Sequence, residues 1–227
     1  MIDSAKLSRW YDFQAPFYRL WRDDYDGRLV RAVEELCGPA KDGLRLLDAG
    51  TGTGCFSIGV GARNPGWRIE ALDASPGMLK VASAQAAKRG LTNIAWRCGD
   101  VTSLPYTGES FDIVIAAGLF PNLNDGDAAL REFRRTLEDD GRLLVVEFDR
   151  TSMTRTRRIF FRAMILGYKM FAAVMPRFRF ADVWNIQTST IDRQAFESQV
   201  AAAGFRIAST RLLDDHLVYE LSKGAHP

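Results

Sequence analysis

The stretch that decides the fold is Asp48-Ala49-Gly50-Thr51-Gly52-Thr53-Gly54. It follows a short apolar run over residues 44–49 and precedes a helical pattern over residues 55–63, so it is predicted to connect a strand to a helix. Glycines suit such a connection because the backbone must bend sharply and let a ligand approach the main chain. A glycine-rich turn alone is weak evidence for a ligand, since any tight turn between a strand and a helix has a similar composition.

Strand and helix patterns alternate after this turn. Strands are predicted at residues 44–49, 68–72, 94–98, 111–116 and 142–148, and helices at residues 55–63, 76–89 and 125–137. This alternation predicts βαβ units and a mostly parallel sheet with helices on both faces. A helix over residues 190–203 and an antiparallel hairpin over residues 205–212 and 217–221 are predicted to complete the sheet.

Composition places the chain among ordinary globular proteins. Of its 227 residues 47% are hydrophobic and 26% are charged, and the net charge of +2 is too small to indicate a nucleic-acid partner. Three separated cysteines, without metal-ligand spacing, favour a reducing compartment and no metal site. No signal peptide and no long apolar run is recognisable, so we expect a cytoplasmic monomer or homodimer.

Three aspartates lie at the ends of three successive predicted strands. Asp48 ends the first strand, Asp73 follows the second and Asp100 follows the third. Ligands of open α/β sheets bind at the carboxyl ends of the strands, where these side chains meet. A carboxylate at Asp73 can bind both hydroxyls of a ribose, and one at Asp100 can accept a hydrogen bond from an adenine amino group. Each could also be a loop cap, but the three together favour a nucleoside site.

Four segments resemble the successive motifs of the class I S-adenosylmethionine (SAM)-dependent methyltransferases. They read LLDAGTGTG, ALDASPGML, CGDVTSLPYTGESFDIVIAA and LEDDGRLLVVEF, and they are most similar to the branch of ubiquinone/menaquinone C-methyltransferases and bacterial phospholipid N-methyltransferases. The resemblance is close over residues 44–149 and looser over AFESQVAAAGFRI. It implies an α/β, Rossmann-like three-layer sandwich whose seven-stranded, mostly parallel sheet has the order 3-2-1-4-5-7-6, with strand 7 antiparallel.

The resemblance also implies where SAM binds. The methionine end would lie against Gly50 and Gly52, the ribose on Asp73, and the adenine between Met78 and Val101. The opening WYDFQAPFY resembles the family's YDxxAxxY segment, where an aromatic ring folds over the cofactor or simply packs the first helix; Tyr11 or Tyr18 would supply the ring. The residues expected to bind the cofactor are Tyr18, Asp48, Ala49, Gly50, Gly52, Gly54, Asp73, Ala74, Met78, Asp100, Val101 and Ala117.

Methyl transfer from a sulfonium is an in-line displacement, so positioning can supply much of the acceleration and a base is needed only if the acceptor loses a proton. His216, in the terminal hairpin, and Glu147, at the end of the fifth strand, are the candidate bases. His216 could instead be a polar turn residue, and Glu147 could bind backbone amides. The segment Gly118-Leu119-Phe120-Pro121-Asn122 is expected to line the transfer site and lacks the Asn/Asp-Pro-Pro-Tyr/Phe motif of nucleobase methyltransferases.

Residues 150–181 contain eight Lys or Arg and no acidic residue. At helical spacing, Arg155, Arg158 and Arg162 share one face, which predicts either peripheral contact with an anionic membrane or a solvated surface. The whole chain is expected to be one domain, with a helical cap over residues 1–40 and this helical insertion over residues 150–188. The residues expected to contact a small-molecule or lipid-like acceptor are Phe120, Asn122, Phe160, Met164, Tyr168 and Trp184.

Two other classes of function compete with a methyltransferase of lipophilic acceptors. One is a non-catalytic protein that keeps the fold to bind SAM or a partner, and the other is a nicotinamide-dependent oxidoreductase. The GxGxG spacing differs from the GxGxxG of nicotinamide sites and disfavours the second. Within the methyltransferases, a soluble polar metabolite remains an alternative acceptor.

Overall fold

The computed structural model describes residues 8–12, 15, 27–38, 42–149, 159, 166, 191–213 and 215–224. Residues 8–12 are helical, and α1 (Gly27–Leu36) precedes the sheet. The remaining elements, in chain order, are β1 (Arg45–Ala49), α2 (Cys55–Arg63), β2 (Arg68–Asp73), α3 (Pro76–Lys88), β3 (Ile94–Cys98), β4 (Phe111–Ala117), a 3-10 turn (Phe120–Asn122), α4 (Gly126–Thr136), β5 (Leu137–Phe148), α5 (Arg193–Ala202), β6 (Phe205–Leu213) and β7 (His216–Lys223).

The seven strands form one sheet in the order β3-β2-β1-β4-β5-β7-β6, as predicted. The first five strands are parallel, and β7 pairs antiparallel with both β5 and β6. The carboxyl ends of β1, β2 and β4 therefore lie side by side at one edge of the sheet.

Alternation along the strands divides the core between the two faces of the sheet. Leu46 packs in the cluster that contains Val33 of α1, whereas its neighbour Leu47 packs in the cluster that contains Phe133 of α4 and Phe196 of α5. Both faces are thus covered by helices, which is why the central strands carry near-continuous apolar runs.

Most boundaries differ from the prediction by no more than three residues, and the start of β5 differs by five. β5 begins at Leu137, immediately after α4, rather than at Arg142. The pairing with β4 shifts register between Phe111 and Ile113, so the acidic stretch before Arg142 forms a bulge within the strand. Asp139 and Asp140 are exposed on it, and this turn-like composition made the stretch resemble a loop. No helix in the described part of the chain is long and apolar enough to cross a membrane.

Candidate active site

The three glycines of the loop after β1 all have backbone angles in the left-handed region, with φ of 75° at Gly50, 56° at Gly52 and 80° at Gly54. A side chain at Gly54 would lie 3.0 Å from Ala82, Ile58 and Trp96, so this glycine allows α2 to pack closely on its neighbours. A side chain at Gly52 would meet none of the described residues within 4 Å. Gly54 therefore serves packing, whereas Gly52 leaves main chain accessible to a ligand.

Gly50 is crowded by a residue from the far side of the site. A Cβ atom added to Gly50 would lie 2.8 Å from Cδ1 of Leu119, which follows β4. The two loops that follow β1 and β4 therefore touch at this point, and a side chain at Gly50 would require Leu119 to shift.

Asp48 is almost fully buried beneath the loop. Its Oδ2 accepts hydrogen bonds from the Thr51 hydroxyl (2.6 Å), the Ser57 backbone nitrogen (3.1 Å) and the Ser57 hydroxyl. Burial raises the pKa of this carboxyl, and the bonds from Ser57 and Thr51 oppose that shift. Asp48, predicted to bind the cofactor, is thus placed where it holds the loop and the start of α2 together.

Asp73 lies at the end of β2 and connects it to the glycine loop. Its Oδ2 accepts from the Gly52 backbone nitrogen and its Oδ1 from the Ser75 backbone nitrogen, each at 2.8 Å. Burial raises the pKa of Asp73 to about 6; the bonds from Ser75 and Gly52 lower it, and the charges of Asp48 and Asp12 raise it. The carboxylate is therefore preorganised beside the open main chain of Gly52, as a ribose-binding acid would be.

The predicted adenine side of the site is more closed than expected. Met78 and Val101 are both buried, and Asp100 is exposed with its Oδ1 bound to the backbone and hydroxyl of Thr102. Ala74 is exposed, and its carbonyl oxygen accepts from another segment of the chain. Both side chains that were expected to flank the adenine are therefore buried, while Asp100 remains accessible.

Glu147 lies beneath the loop that follows β4. Its Oε1 accepts hydrogen bonds from the backbone nitrogens of Leu119 (3.1 Å) and Phe120 (3.0 Å), and Asn122 Nδ2 donates to the carbonyl oxygen of Gly118 at 2.8 Å. Glu147 is buried. Of the two roles considered for it, the structure supports the binding of backbone amides.

Two predicted site residues point into the core instead. Phe120 is buried, with its ring centroid 4.9 Å from that of Phe196, so it anchors the loop rather than lining an acceptor site. His216 is also buried, and its ring packs edge-on to Phe148 at 5.6 Å. It is therefore not an exposed turn residue. Because His216 pairs with Phe148 rather than with Glu147, its side chain is on the face of the sheet opposite to Glu147.

Residues 8–12 lie at the same edge of the sheet, and their polar contacts were not predicted. The Tyr11 hydroxyl donates to Asn122 Oδ1 at 3.1 Å, Ser8 Oγ donates to the Ala74 carbonyl oxygen at 2.9 Å, and Asp12 Oδ1 accepts from Gly77 N at 2.7 Å. In the sequence WYDFQAPFY, Asp12 directly follows Tyr11. This pair of an aromatic and an acidic residue is the sequence feature that could have indicated the polar contacts of the segment.

Several predictions fall outside the described residues. They concern Tyr18 and the substrate candidates Phe160, Met164, Tyr168 and Trp184, together with the basic face of Arg155, Arg158 and Arg162. These remain predictions. Among the described residues, no group of three or more His, Cys, Asp or Glu side chains is arranged to hold a metal ion.

Comparison with known proteins agrees with this geometry. Residues 47–145 match the family model of a methyltransferase domain. Demethylmenaquinone methyltransferase of Thermus thermophilus is 38% identical over 104 residues, which cover 46% of this chain and 47% of the relative. A ubiquinone/menaquinone biosynthesis C-methyltransferase of Shewanella frigidimarina is 28% identical over 194 residues, which cover 79% and 73% of the two chains. The chain spans about half the length of most of the curated relatives it matches.

Solved structures share the fold at lower identity. The (4+2)-cyclase SpnF superimposes with a TM-score of 0.73 at 19% identity over 99% of this chain and 98% of its own. A SAM-dependent methyltransferase from Aquifex aeolicus has a TM-score of 0.64 at 16% identity, over 97% and 98% of the two chains.

Residues 47–145 thus match a methyltransferase domain, and the sheet order and the glycine loop with Asp73 agree with that match. The chain is similar over this part to demethylmenaquinone methyltransferases and to ubiquinone/menaquinone biosynthesis C-methyltransferases.

Proposed function

We propose that this protein transfers a methyl group from SAM to a small lipophilic acceptor. The observation that carries the proposal is the pairing of Asp73 with Gly52. A partly buried carboxylate lies at the end of β2, beside a glycine whose Cβ position has no described atom within 4 Å. This donor and acceptor set suits a nucleoside with free ribose hydroxyls, because Asp73 would repel a phosphate group on the ribose.

Asp73 and the residues of the glycine loop would have different roles in binding SAM. Asp73 would exchange its bond with Gly52 for bonds to the ribose hydroxyls, and the main chain at Gly52 would face the methionine end. Asp48 holds the loop from below through Thr51 and Ser57. SAM supplies a methyl group on a sulfonium, so no nucleophile has to be generated on the protein.

The acceptor would approach the loop that follows β4. Glu147 holds this loop through Leu119 and Phe120, and Tyr11 contacts it at Asn122. The partly buried side chains of Leu119 and Leu123 give it apolar character. Relatives named for demethylmenaquinone and ubiquinone/menaquinone biosynthesis support an acceptor with an aromatic, lipophilic body. We propose demethylmenaquinone as the first acceptor to test.

The test is transfer of labelled methyl groups from SAM to a panel that contains demethylmenaquinone, a phospholipid amine and soluble amines. Formation of S-adenosylhomocysteine with a labelled lipophilic product is expected, and Asp73→Ala should abolish it. Cofactor binding without turnover on any acceptor would favour a non-catalytic protein, and selective binding of NAD would overturn the proposal. The experiment is needed because the fold alone does not specify the reaction: the structural neighbour SpnF is named as a cyclase.

Peripheral contact with a membrane is a second proposal, which would bring the protein to a lipid-like acceptor. Ile159 and Leu166 are both helical and 60% exposed. If the sequence around them is helical, as predicted, they would lie beside Arg155, Arg158 and Arg162, and exposed apolar residues would adjoin basic ones. Such a surface suits anionic lipid, where apolar insertion and charge attraction act together.

Co-sedimentation with vesicles that contain anionic lipid tests this contact. Arg155→Glu, Arg158→Glu and Arg162→Glu together should reduce the bound fraction. The same charge change at the exposed Arg31, Arg206 and Arg211, which lie on other elements, should have a smaller effect. Equal loss in both triple variants would indicate attraction by overall charge and would remove the proposed surface.

A further inference from the structure

Residues 8–12 cross the edge of the sheet where three strands end. Ser8 contacts Ala74, just after β2, and Tyr11 contacts Asn122, just after β4. In the sheet, β1 lies between β2 and β4. Residues 8–12 are bound to residues that follow β2 and β4, the two strands on either side of β1. The segment therefore spans the end of β1, where the glycine loop begins.

Asp12 fastens this segment to the start of α3. Its Oδ1 accepts hydrogen bonds from the Ser75 hydroxyl (2.6 Å) and the Gly77 backbone nitrogen (2.7 Å), across 63 and 65 positions of sequence. Ser75 is itself the N-cap of α3 and accepts from Met78 N at 3.1 Å. The first turn of α3 is thus satisfied by two side chains, one of which belongs to the crossing segment. A carboxylate is favoured there by the helix dipole.

Gly77 supplies the space for Asp12. A Cβ atom added to Gly77 would lie 2.8 Å from Asp12 Oδ1 and 2.9 Å from Asp12 Cα, and all three of the nearest atoms belong to Asp12. The φ angle of Gly77 is not in the left-handed region, so alanine fits the helix itself and has the higher helix propensity. Glycine at this position therefore serves the approach of Asp12 rather than the conformation of α3.

We infer that Asp12 and Gly77 are positioning residues that seat residues 8–12 as a bridge over the cofactor loop. The bridge retains the S-adenosyl compound beneath it. Through Tyr11 and Asn122 it also couples cofactor binding to the loop that meets the acceptor. The identity of the retained ligand rests on the proposed function; the seating of the bridge does not.

The first experiment measures the Kd of S-adenosylhomocysteine by titration calorimetry. Asp12→Ala and Gly77→Ala should each raise the Kd about tenfold, the effect of losing hydrogen bonds to a charged group. The double variant should be no weaker than the weaker single variant, because both substitutions remove the same contact. Two controls should leave the Kd unchanged. Gly27→Ala adds a methyl group in open space at the start of α1, and Asp192→Ala removes the N-cap of α5.

The second experiment measures amide hydrogen exchange of residues 8–12 in the unliganded protein. Exchange should be faster in Asp12→Ala and Gly77→Ala than in the parent and in both controls. Unchanged exchange would overturn the bridge, and faster exchange with an unchanged Kd would overturn its role in retention. If the parent protein binds no S-adenosyl compound, the proposed function fails, whereas the exchange result still decides whether Asp12 and Gly77 seat the segment.

Tyr11→Phe tests the coupling to the acceptor side. Loss of the hydroxyl should raise the KM for the acceptor severalfold and leave the Kd of S-adenosylhomocysteine within about twofold, because the bond from Asp12 remains. Equal weakening of both constants would show that Tyr11 only stabilises the segment, and would remove the coupling.

Discussion

Asp73 Oδ2 lies 2.8 Å from the backbone nitrogen of Gly52, and this hydrogen bond ties the end of β2 to the loop that follows β1. The carboxylate of Asp73 and the main chain of Gly52 are therefore already next to each other before a ligand binds. A ligand that uses both groups finds them close together and exchanges this bond for its own hydrogen bonds to them.

The pKa of Asp73, raised by burial to about 6, makes cofactor binding dependent on pH. A deprotonated carboxylate is the better acceptor for ribose hydroxyls, so the affinity for S-adenosylhomocysteine should fall as the pH decreases through about 6. Calorimetry on both sides of that pH measures the change. In Asp73→Asn, affinity should be lower and should vary little over the same range.

The raised pKa of Asp73 also makes the stability of the protein depend on pH, in the direction opposite to that of the affinity. An acid whose pKa is higher in the folded than in the unfolded protein binds more protons when folded, so the free energy of unfolding decreases as the pH rises from about 4 to about 6. For Asp73 the change is at most about 3 kcal/mol. Denaturant unfolding at several pH values should show a smaller decrease in Asp73→Asn. An identical decrease in both proteins would contradict the assignment to Asp73.

Asp48 should contribute to stability more than Asp100 does. Asp48→Ala leaves the buried donors of Thr51 and Ser57 without an acceptor and should lower the free energy of unfolding by about 2–4 kcal/mol. Asp100→Ala removes exposed bonds to Thr102 and should cost about 1 kcal/mol or less. Chemical denaturation measures both, and equal losses would count against the role of Asp48 as the support of the loop.

Alanine at Gly54 and at Gly52 should damage different properties. Both positions have positive φ, so each substitution strains the backbone by about 1–2 kcal/mol. Gly54→Ala also meets three side chains at 3.0 Å and should lower the melting temperature further. Gly52→Ala has open space around the new methyl group, which would lie where the ligand approaches, and should mainly raise the Kd for S-adenosylhomocysteine. If the two variants ranked alike in both assays, this division of roles would be wrong.

Glu147 can be distinguished as a positioning residue or a base by paired substitutions. Glutamine keeps an oxygen that can accept from Leu119 and Phe120, whereas alanine does not. We expect Glu147→Gln to retain most of kcat with an unchanged pH profile, and Glu147→Ala to lower kcat about tenfold or more. A base would instead require that both substitutions abolish turnover, together with loss of the corresponding limb of the pH profile.

Most element boundaries were predictable because periodicity and turn residues carry them locally, whereas the sheet order was predicted from the family resemblance. The loop over residues 48–54 and the terminal hairpin are examples. The bulge before Arg142 was not predictable, since acidic residues and a glycine are equally typical of loops. Contacts that join distant positions, such as Asp12 with Gly77, leave no periodic signal in a single chain.

The strand-end positions of Asp48 and Asp73 were predicted, but the contacts of their side chains were not. Asp73 and Gly52 lie together as expected, but strand-end position alone does not reveal whether a side chain faces a ligand or its own loop. Asp48 binds Thr51 and Ser57, and Phe120 packs against Phe196. Which way such a side chain turns depends on the neighbours that bury it, and those come from elements far away in sequence.

The position of β7 has a consequence for how the molecule is made. β7 follows every other described strand in sequence, yet it lies between β5 and β6 rather than at an edge. Until it emerges from the ribosome, the nascent chain presents the full length of β5 as an open edge, and β6 has no neighbour with which to pair. The sheet can therefore be completed only after β7 has been synthesised. Before that, the chain is most exposed to wrong strand pairing or to recruitment by a chaperone.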